Sequence, residues 1–194
     1  MGHTGAVILA AGASRRLGTP KQQVRFQQES LLQRIIHTAQ QTSAQPVVVV
    51  LGAFADAILP DLQDSEASVV INPDWESGMG SSIQTGLREL IRIDDDVSNV
   101  LLLLCDQPFI TPALLQTLIS THHQHNKGIT ACTYGPVTGS PALFSSKYFP
   151  ALLTLAEPEG ARKIIRQHQD DINTVPFPEG IIDIDTPEDL EKLR

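Results

Sequence analysis

Apolar residues along the chain fall into two recurring patterns. Runs at 46–51 (Pro-Val-Val-Val-Val-Leu) and 99–104 (Asn-Val-Leu-Leu-Leu-Leu) are continuously apolar, as expected for parallel strands covered on both faces. A further run begins at Ala6, and shorter candidates cover 67–71, 129–133 and 172–175. Between them lie amphipathic stretches at 30–41, 79–93, 112–123 and 161–168, each read as a helix. Ser30 is placed to cap the first helix, and Thr111-Pro112 forms an N-cap followed by proline at the first helical position. This alternation predicts an α/β fold with a doubly wound, mostly parallel sheet and right-handed crossovers, in a single domain over residues 1–194. Ligands in such sheets bind beyond the carboxyl ends of the strands. The loops after the apolar runs are therefore where chemistry is sought.

The first of these loops is the most informative. The run from Ala6 to Ala11 breaks at Gly12-Ala13-Ser14-Arg15-Arg16-Leu17-Gly18-Thr19-Pro20-Lys21. Small residues let backbone N–H groups approach a ligand, and a nest of such groups binds anions. Arg15, Arg16 and Lys21 around it suit a polyphosphate. Residues 12–18 do not read G-x-G-x-x-G, and Gly18 is followed by Thr-Pro-Lys rather than the Lys-Ser/Thr of a Walker loop. Both common phosphate-loop fingerprints are excluded.

Composition narrows the class further. A formal charge of −8 opposes a role in coating nucleic acid, whose phosphate backbone such a field repels. A local cationic pocket still suffices for a mononucleotide. Cys105 and Cys132 are the two cysteines, without C-x-x-C spacing, so neither a disulfide framework nor a thiolate metal site is expected. No run reaches membrane-spanning length, and the start lacks a leader pattern. A cytoplasmic protein without a nucleic-acid or membrane partner is the expectation.

Three more segments carry candidate chemistry. Asp106 in Cys105-Asp106-Gln107-Pro108 follows an apolar strand directly; it can ligate magnesium beside a phosphate or cap the helix starting near Thr111. Near the end, Asp183 and Asp185 in Asp183-Ile184-Asp185-Thr186-Pro187 point the same way if extended, before a terminal helix opened by Thr186-Pro187. Asp185 can equally serve as that helix's cap. In 72–83, Gly78 and Gly80 precede Ser81 and Ser82 at a helix start; these read either as a helix cap or as a nucleotide contact. His122, His123 and His125 lack a fourth ligand and read as a solvated helix end. Asp94-Asp95-Asp96 reads as a surface turn.

The pattern L-A-A-G-x-S-x-R-hydrophobic-G-x-x-K, filled by Leu9, Ala10, Ala11, Gly12, Ser14, Arg16, Leu17, Gly18 and Lys21, resembles the signature of the MobA-like nucleotidyltransferases. Leu17 stands where that family usually has Met. The resemblance spans the chain, and implies a Rossmann-like fold of the nucleotide-diphospho-sugar transferase type. It implies that the loop residues bind the nucleotide, with Arg16 and Lys21 acting on its phosphates. Asp106 would be the catalytic metal ligand, joined by Asp185 with Asp183 close behind; the metal would be Mg²⁺, or Mn²⁺. Asp-Gln-Pro at 106–108, Asp-Ile-Asp-Thr-Pro at 183–187 and Asn72-Pro73-x-Trp75 ahead of Gly78-Met79 resemble the molybdenum cofactor cytidylyltransferase branch. In that branch the last segment lines the nucleotide pocket, bringing in Asn72, Gly80, Ser81 and Ser82. Gly139-Ser140-Pro141 resembles the family's G-x-P, and Gly160-Ala161-Arg162 its G-A-R, although Glu157-Pro158 replaces a more usual Gly-Asp. Gln107, Pro141 and Arg162 would then face the acceptor. The implied reaction transfers CMP from CTP to a molybdopterin-bound molybdenum acceptor, for delivery to a molybdenum hydroxylase or its maturation chaperone. Guanylyl transfer, cytidylyl transfer to a sugar-alcohol phosphate, and a non-catalytic nucleotide or cofactor carrier are the alternatives.

Overall fold

The computed structural model describes residues 3–156 and 158–193. Strands β1 (His3–Ala10), β2 (Arg25–Phe26), β3 (Glu29–Ser30), β4 (Val47–Leu51), β5 (Ser68–Ile71), β6 (Val97–Leu104), β7 (Ile129–Tyr134), β8 (Val137–Ser145) and β9 (Ile172–Pro176) are joined by helices. These are α1 (Leu31–Gln40), α2 (Ala55–Ile58), α3 (Met79–Ile93), α4 (Pro112–Gln124), α5 (Phe149–Leu153) and α6 (Arg162–Gln167). One seven-stranded sheet has the order β5-β4-β1-β6-β8-β7-β9. It is parallel except for β8, which runs antiparallel to both β6 and β7. β8 contains the Gly139-Ser140-Pro141 segment, whose small residues and proline hide the strand pattern.

Alternation along the central strands divides the core into two layers. Ala6, Ile8 and Ala10 of β1 pack with Val47, Val49 and Leu51 of β4 and the apolar faces of α1 and α4. Val7 and Leu9 turn the other way with Val48 and Val50, against Ile83, Leu87 and Leu90 of α3 and against α5 and α6. A methyl group at Gly86 would stand 2.7 Å from Val50 and closer still to Val7, so α3 lies against β1 and β4 at a distance that only glycine permits.

The helix starts follow the expected chemistry. Ser30 caps α1 with a reciprocal capping box: its side chain accepts from Gln33 N, and the Gln33 side chain accepts from Ser30 N. The Thr111 side chain accepts from Leu114 N at the start of α4. The expected terminal helix opened by Thr186-Pro187 is present as the 3₁₀ helix Pro187–Leu193.

The short β2–β3 hairpin, silent in the apolar pattern, has a positioning role. It presents Phe26, which packs edge-on against Phe109 with centroids 5.8 Å apart. Phe26 and Leu31 enclose the fully buried Ile184. Ile184 thus plugs the C-terminal segment into the body of the protein, between the two aspartates that flank it.

His122 corrects the reading of a solvated helix end. It is 7% exposed, and its ring nitrogens lie 3.1 Å from Asn99 Oδ1 and 3.1 Å from Thr130 Oγ1. The sequence gives little warning, because its partners come from β6 and β7. Burial, with a minor contribution from His123, lowers its pKa from 6.5 to about 4. Between those values the unfolded chain binds a proton that the folded protein refuses, so stability falls as pH falls. That pKa difference corresponds to about 3 kcal/mol when fully developed. Urea denaturation across pH 7 to 4 should show this loss in the wild type and a flatter profile in His122→Gln. Equal slopes in the two proteins would contradict the assignment.

Candidate active site

The loop after β1 is folded upon itself. Ser14 takes a left-handed conformation (φ 48°), as does Gly18 (φ 76°). The Ser14 carbonyl accepts from Leu17 N and Gly18 N, while its Oγ accepts from Lys21 N at 3.0 Å. Gln22, 1% exposed, donates from Nε2 to Ala10 O at 2.7 Å and Gly12 O at 3.0 Å. Sequence reasoning passed over Gln22. Its place directly after Lys21 is a signal only once the backbone it ties down is known.

These bonds deliver Lys21 to the carboxyl ends of β1 and β6. Its ammonium lies 2.5 Å from Asp106 Oδ2 and 3.1 Å from Asp185 Oδ1, and Arg16 Nη2 lies 2.7 Å from Asp185 Oδ2. Burial alone would lower the Lys21 pKa, but Asp106, with Asp185 behind it, outweighs that and holds it above its ordinary value. The lysine therefore stays charged throughout the physiological range. The Arg16 pair is largely in solvent and contributes little to stability. Neither aspartate acts as a helix cap: Thr111 caps α4, and the terminal turn is closed by Asp189, whose carboxylate accepts from Asp185 N and Thr186 N.

Asp183 completes the acidic group. Burial, reinforced by Asp106 and Asp185, pushes its pKa up to about 6. Asp106 Oδ1 and Asp183 Oδ1 are both buried without a hydrogen-bond partner. Two orphaned carboxylate oxygens in a crowded anionic group are donor atoms suited to a hard divalent cation. No cluster of three or more His, Cys, Asp or Glu side chains is arranged to hold a metal among the described residues. Such a cation would therefore draw its remaining ligands from phosphate and water, as magnesium commonly does. The neighbouring Cys105 thiol is fully buried with its pKa pushed up to about 12, which removes it as a nucleophile at neutral pH.

A cavity of about 340 Å³ opens beside this cluster. Leu9, Ala10, Ala11 and Gly12 form one wall with Lys21 and Asp106, and Trp75, Met79 and Ser82 form another. Of the remaining expected nucleotide contacts, Ser14 and Arg16 belong to the loop itself. Asn72 stands behind the cavity, donating to Ser81 Oγ at 2.9 Å and Ser82 Oγ at 3.0 Å. Ser81 in turn donates to the Asp74 and Gly78 carbonyls. Gly80 packs so tightly on Glu159 O that an added Cβ would sit 2.9 Å away. Asn72, Gly80 and Ser81 thus shape the α3 start, leaving Ser82 in the wall.

The expected acceptor residues are spread more widely. Pro141 is buried within β8. Gln107 is 4% exposed, and its amide nitrogen is engaged by two backbone carbonyls. Arg162 donates to Tyr134 Oη at 3.1 Å and lines a groove of about 570 Å³ with Arg166; its charge is felt by Asp183. Glu157 lies outside the described residues. A larger concavity of about 1420 Å³, around Asn99 and His122, lies at the amino ends of the parallel strands, away from the edge where such sheets bind ligands.

The pattern of the MobA-like NTP transferase domain matches residues 6–172, and the chain belongs to that family of nucleotidyltransferases. It is 30% identical over 170 residues to a Paenarthrobacter nicotinovorans protein named nicotine blue oxidoreductase, covering 83% of this chain and 80% of that one. It is 28% identical to the purine catabolism protein PucB of Bacillus subtilis, covering 97% and 94%. Among solved structures, Rv0371c of Mycobacterium tuberculosis superposes with a TM-score of 0.86 at 28% identity, over 99% of this chain and 97% of that one. The same protein has also been solved in complex with manganese, at a TM-score of 0.81 and 25% identity over 98% and 97%.

Removing the ammonium that separates Asp106 from Asp185 should be costly. Lys21→Met is expected to destabilise the protein by about 3 kcal/mol at pH 7, because it leaves partly buried carboxylates uncompensated. Lys21→Met with Asp106→Asn should recover part of that loss in urea denaturation. A Lys21→Met protein with the wild-type midpoint would contradict the proposed balance of charge.

Proposed function

We propose that the chain transfers a cytidylyl group from CTP to a molybdopterin-type acceptor, with release of pyrophosphate, working as a single domain with Mg²⁺ or Mn²⁺. The observation that carries the transferase chemistry is the Lys21 ammonium lodged between Asp106 and Asp185 at the mouth of the loop cavity. Cytosine and the molybdopterin-type acceptor are supported by the resemblance of 106–108 and 183–187 to the cytidylyltransferase branch. The loop lacks the G-x-G-x-x-G of a dinucleotide redox site, so nucleotidyl transfer is favoured over the oxidoreductase chemistry in one relative's name. A molybdenum hydroxylase or its maturation chaperone would receive the product.

Each residue has an assigned part. The backbone of Leu9–Gly12, with Ser14 and Ser82, cradles the nucleotide, supported by Asn72, Gly80 and Ser81. Lys21 and Arg16 neutralise the triphosphate and the departing pyrophosphate. Asp106 and Asp183, whose Oδ1 atoms are buried without a partner, would hold the divalent ion with Asp185 beside them, and the ion would supply Lewis-acid polarisation of the phosphate under attack. Arg162 holds an acceptor phosphate through charge-assisted hydrogen bonds, while Pro141 shapes the acceptor side. An acceptor phosphate oxygen attacks the α-phosphorus. A new P–O bond forms, the α–β bridging bond breaks, and its electron pair leaves on pyrophosphate. Positioning and electrostatics supply the catalysis, with no covalent enzyme intermediate.

Pyrophosphate release with Mg²⁺ and molybdenum-loaded molybdopterin should be fastest with CTP when compared with GTP, ATP and UTP. Asp106→Asn should reduce it about 100-fold or more. A preference for GTP would move the chain to guanylyl transfer, and undiminished release by Asp106→Asn would contradict the mechanism.

A further inference from the structure

The three carboxylates reach the site from two segments far apart in sequence, and they repel one another. Lys21 and Arg16 balance the charge, but they do not fix the backbone positions from which the carboxylates project. On one side Ile184 N donates to the Asp106 carbonyl at 3.0 Å. On the other, the amide nitrogen of Gln107 donates to Gly180 O at 3.3 Å and to Ser140 O at 3.3 Å. One side chain therefore joins the end of β6, strand β8 and the turn Pro178–Ile181 that feeds Asp183.

That turn is itself wedged. A Cβ on Gly180 would lie 2.6 Å from both the Phe177 and the Tyr134 rings, which meet edge-on at 6.4 Å. Tyr134 also accepts from Arg162. The Gly180 backbone therefore packs directly on two aromatic rings, which makes its carbonyl a firm anchor for an amide. Gln107 holds its place at a cost, because its Oε1 is buried without a partner. An apolar side chain of equal length would avoid that penalty. What glutamine adds is its pair of N–H donors.

We propose that Gln107 is a positioning residue that sets Asp106 against Asp183 for divalent-cation binding. It touches neither nucleotide nor acceptor, and acts through the Ser140 and Gly180 carbonyls. The inference rests on the proposed metal role of the two aspartates. Residues that orient metal ligands typically affect affinity 10- to 100-fold.

The test is Mn²⁺ affinity, read from the free-ion electron paramagnetic resonance signal of CTP-saturated protein, beside CTP affinity measured in chelator. Gln107→Met, of similar volume but unable to donate, should bind Mn²⁺ roughly 10- to 100-fold more weakly, with CTP affinity in chelator within about twofold of wild type. Gln107→Asn, which keeps the donors one methylene too short, should show the same selective loss and serves if the Met variant does not fold. Unchanged Mn²⁺ affinity, or Mn²⁺ and CTP affinities falling together, would overturn the positioning role. A wild-type protein that retains no Mn²⁺ beyond that held by CTP alone would overturn the metal site itself.

Discussion

Like-charge repulsion among Asp106, Asp183 and Asp185 is the constraint around which this end of the molecule is organised. Three carboxylates at the carboxyl edge of a sheet repel one another, and the rise in the Asp183 pKa to about 6 records burial and that repulsion. The arrangement persists because cations stand against it: Lys21 bridges Asp106 and Asp185, and Arg16 closes on Asp185. Lys21 depends in turn on a loop folded by Ser14 and held down by Gln22.

The rest of the fold supplies the backbone that this electrostatic arrangement needs. The central β1, covered on both faces, ends in the loop, and β6 beside it ends at Leu104, just before Asp106. The hairpin of β2 and β3 looks incidental until Ile184 is seen seated against Phe26 and Leu31. With Ile184 pointing inward, its neighbours Asp183 and Asp185 are left for the site. A small apolar cluster thereby determines where two charges stand.

Much of this was legible in the sequence because it is local. The β1 loop, Asp106 after its strand, the Ser30 cap and the paired aspartates around Ile184 are each written within a dozen residues or fewer. What escaped depends on partners distant in the chain. His122 reads as a solvated helix end until Asn99 and Thr130 meet it from β6 and β7. β8 gives no strand signal because Gly139, Ser140 and Pro141 interrupt its apolar run, and its antiparallel direction follows from its neighbours. Gln107 reads as a ligand contact, whereas its amide is directed to two backbone carbonyls. In each case a polar side chain is satisfied by tertiary structure that no short window reveals.

The central claim is that the nucleotide phosphates and a divalent ion meet at Asp106 beside Lys21. Phosphorus-31 magnetic resonance of bound CTP with substoichiometric Mn²⁺ tests it most directly, since paramagnetic broadening falls steeply with distance. The account predicts broadening of the α-phosphate resonance in the wild-type protein well beyond that of free CTP with the same Mn²⁺, an excess largely lost in Asp106→Asn although CTP remains bound. Broadening that is indifferent to the Asp106 substitution would contradict it.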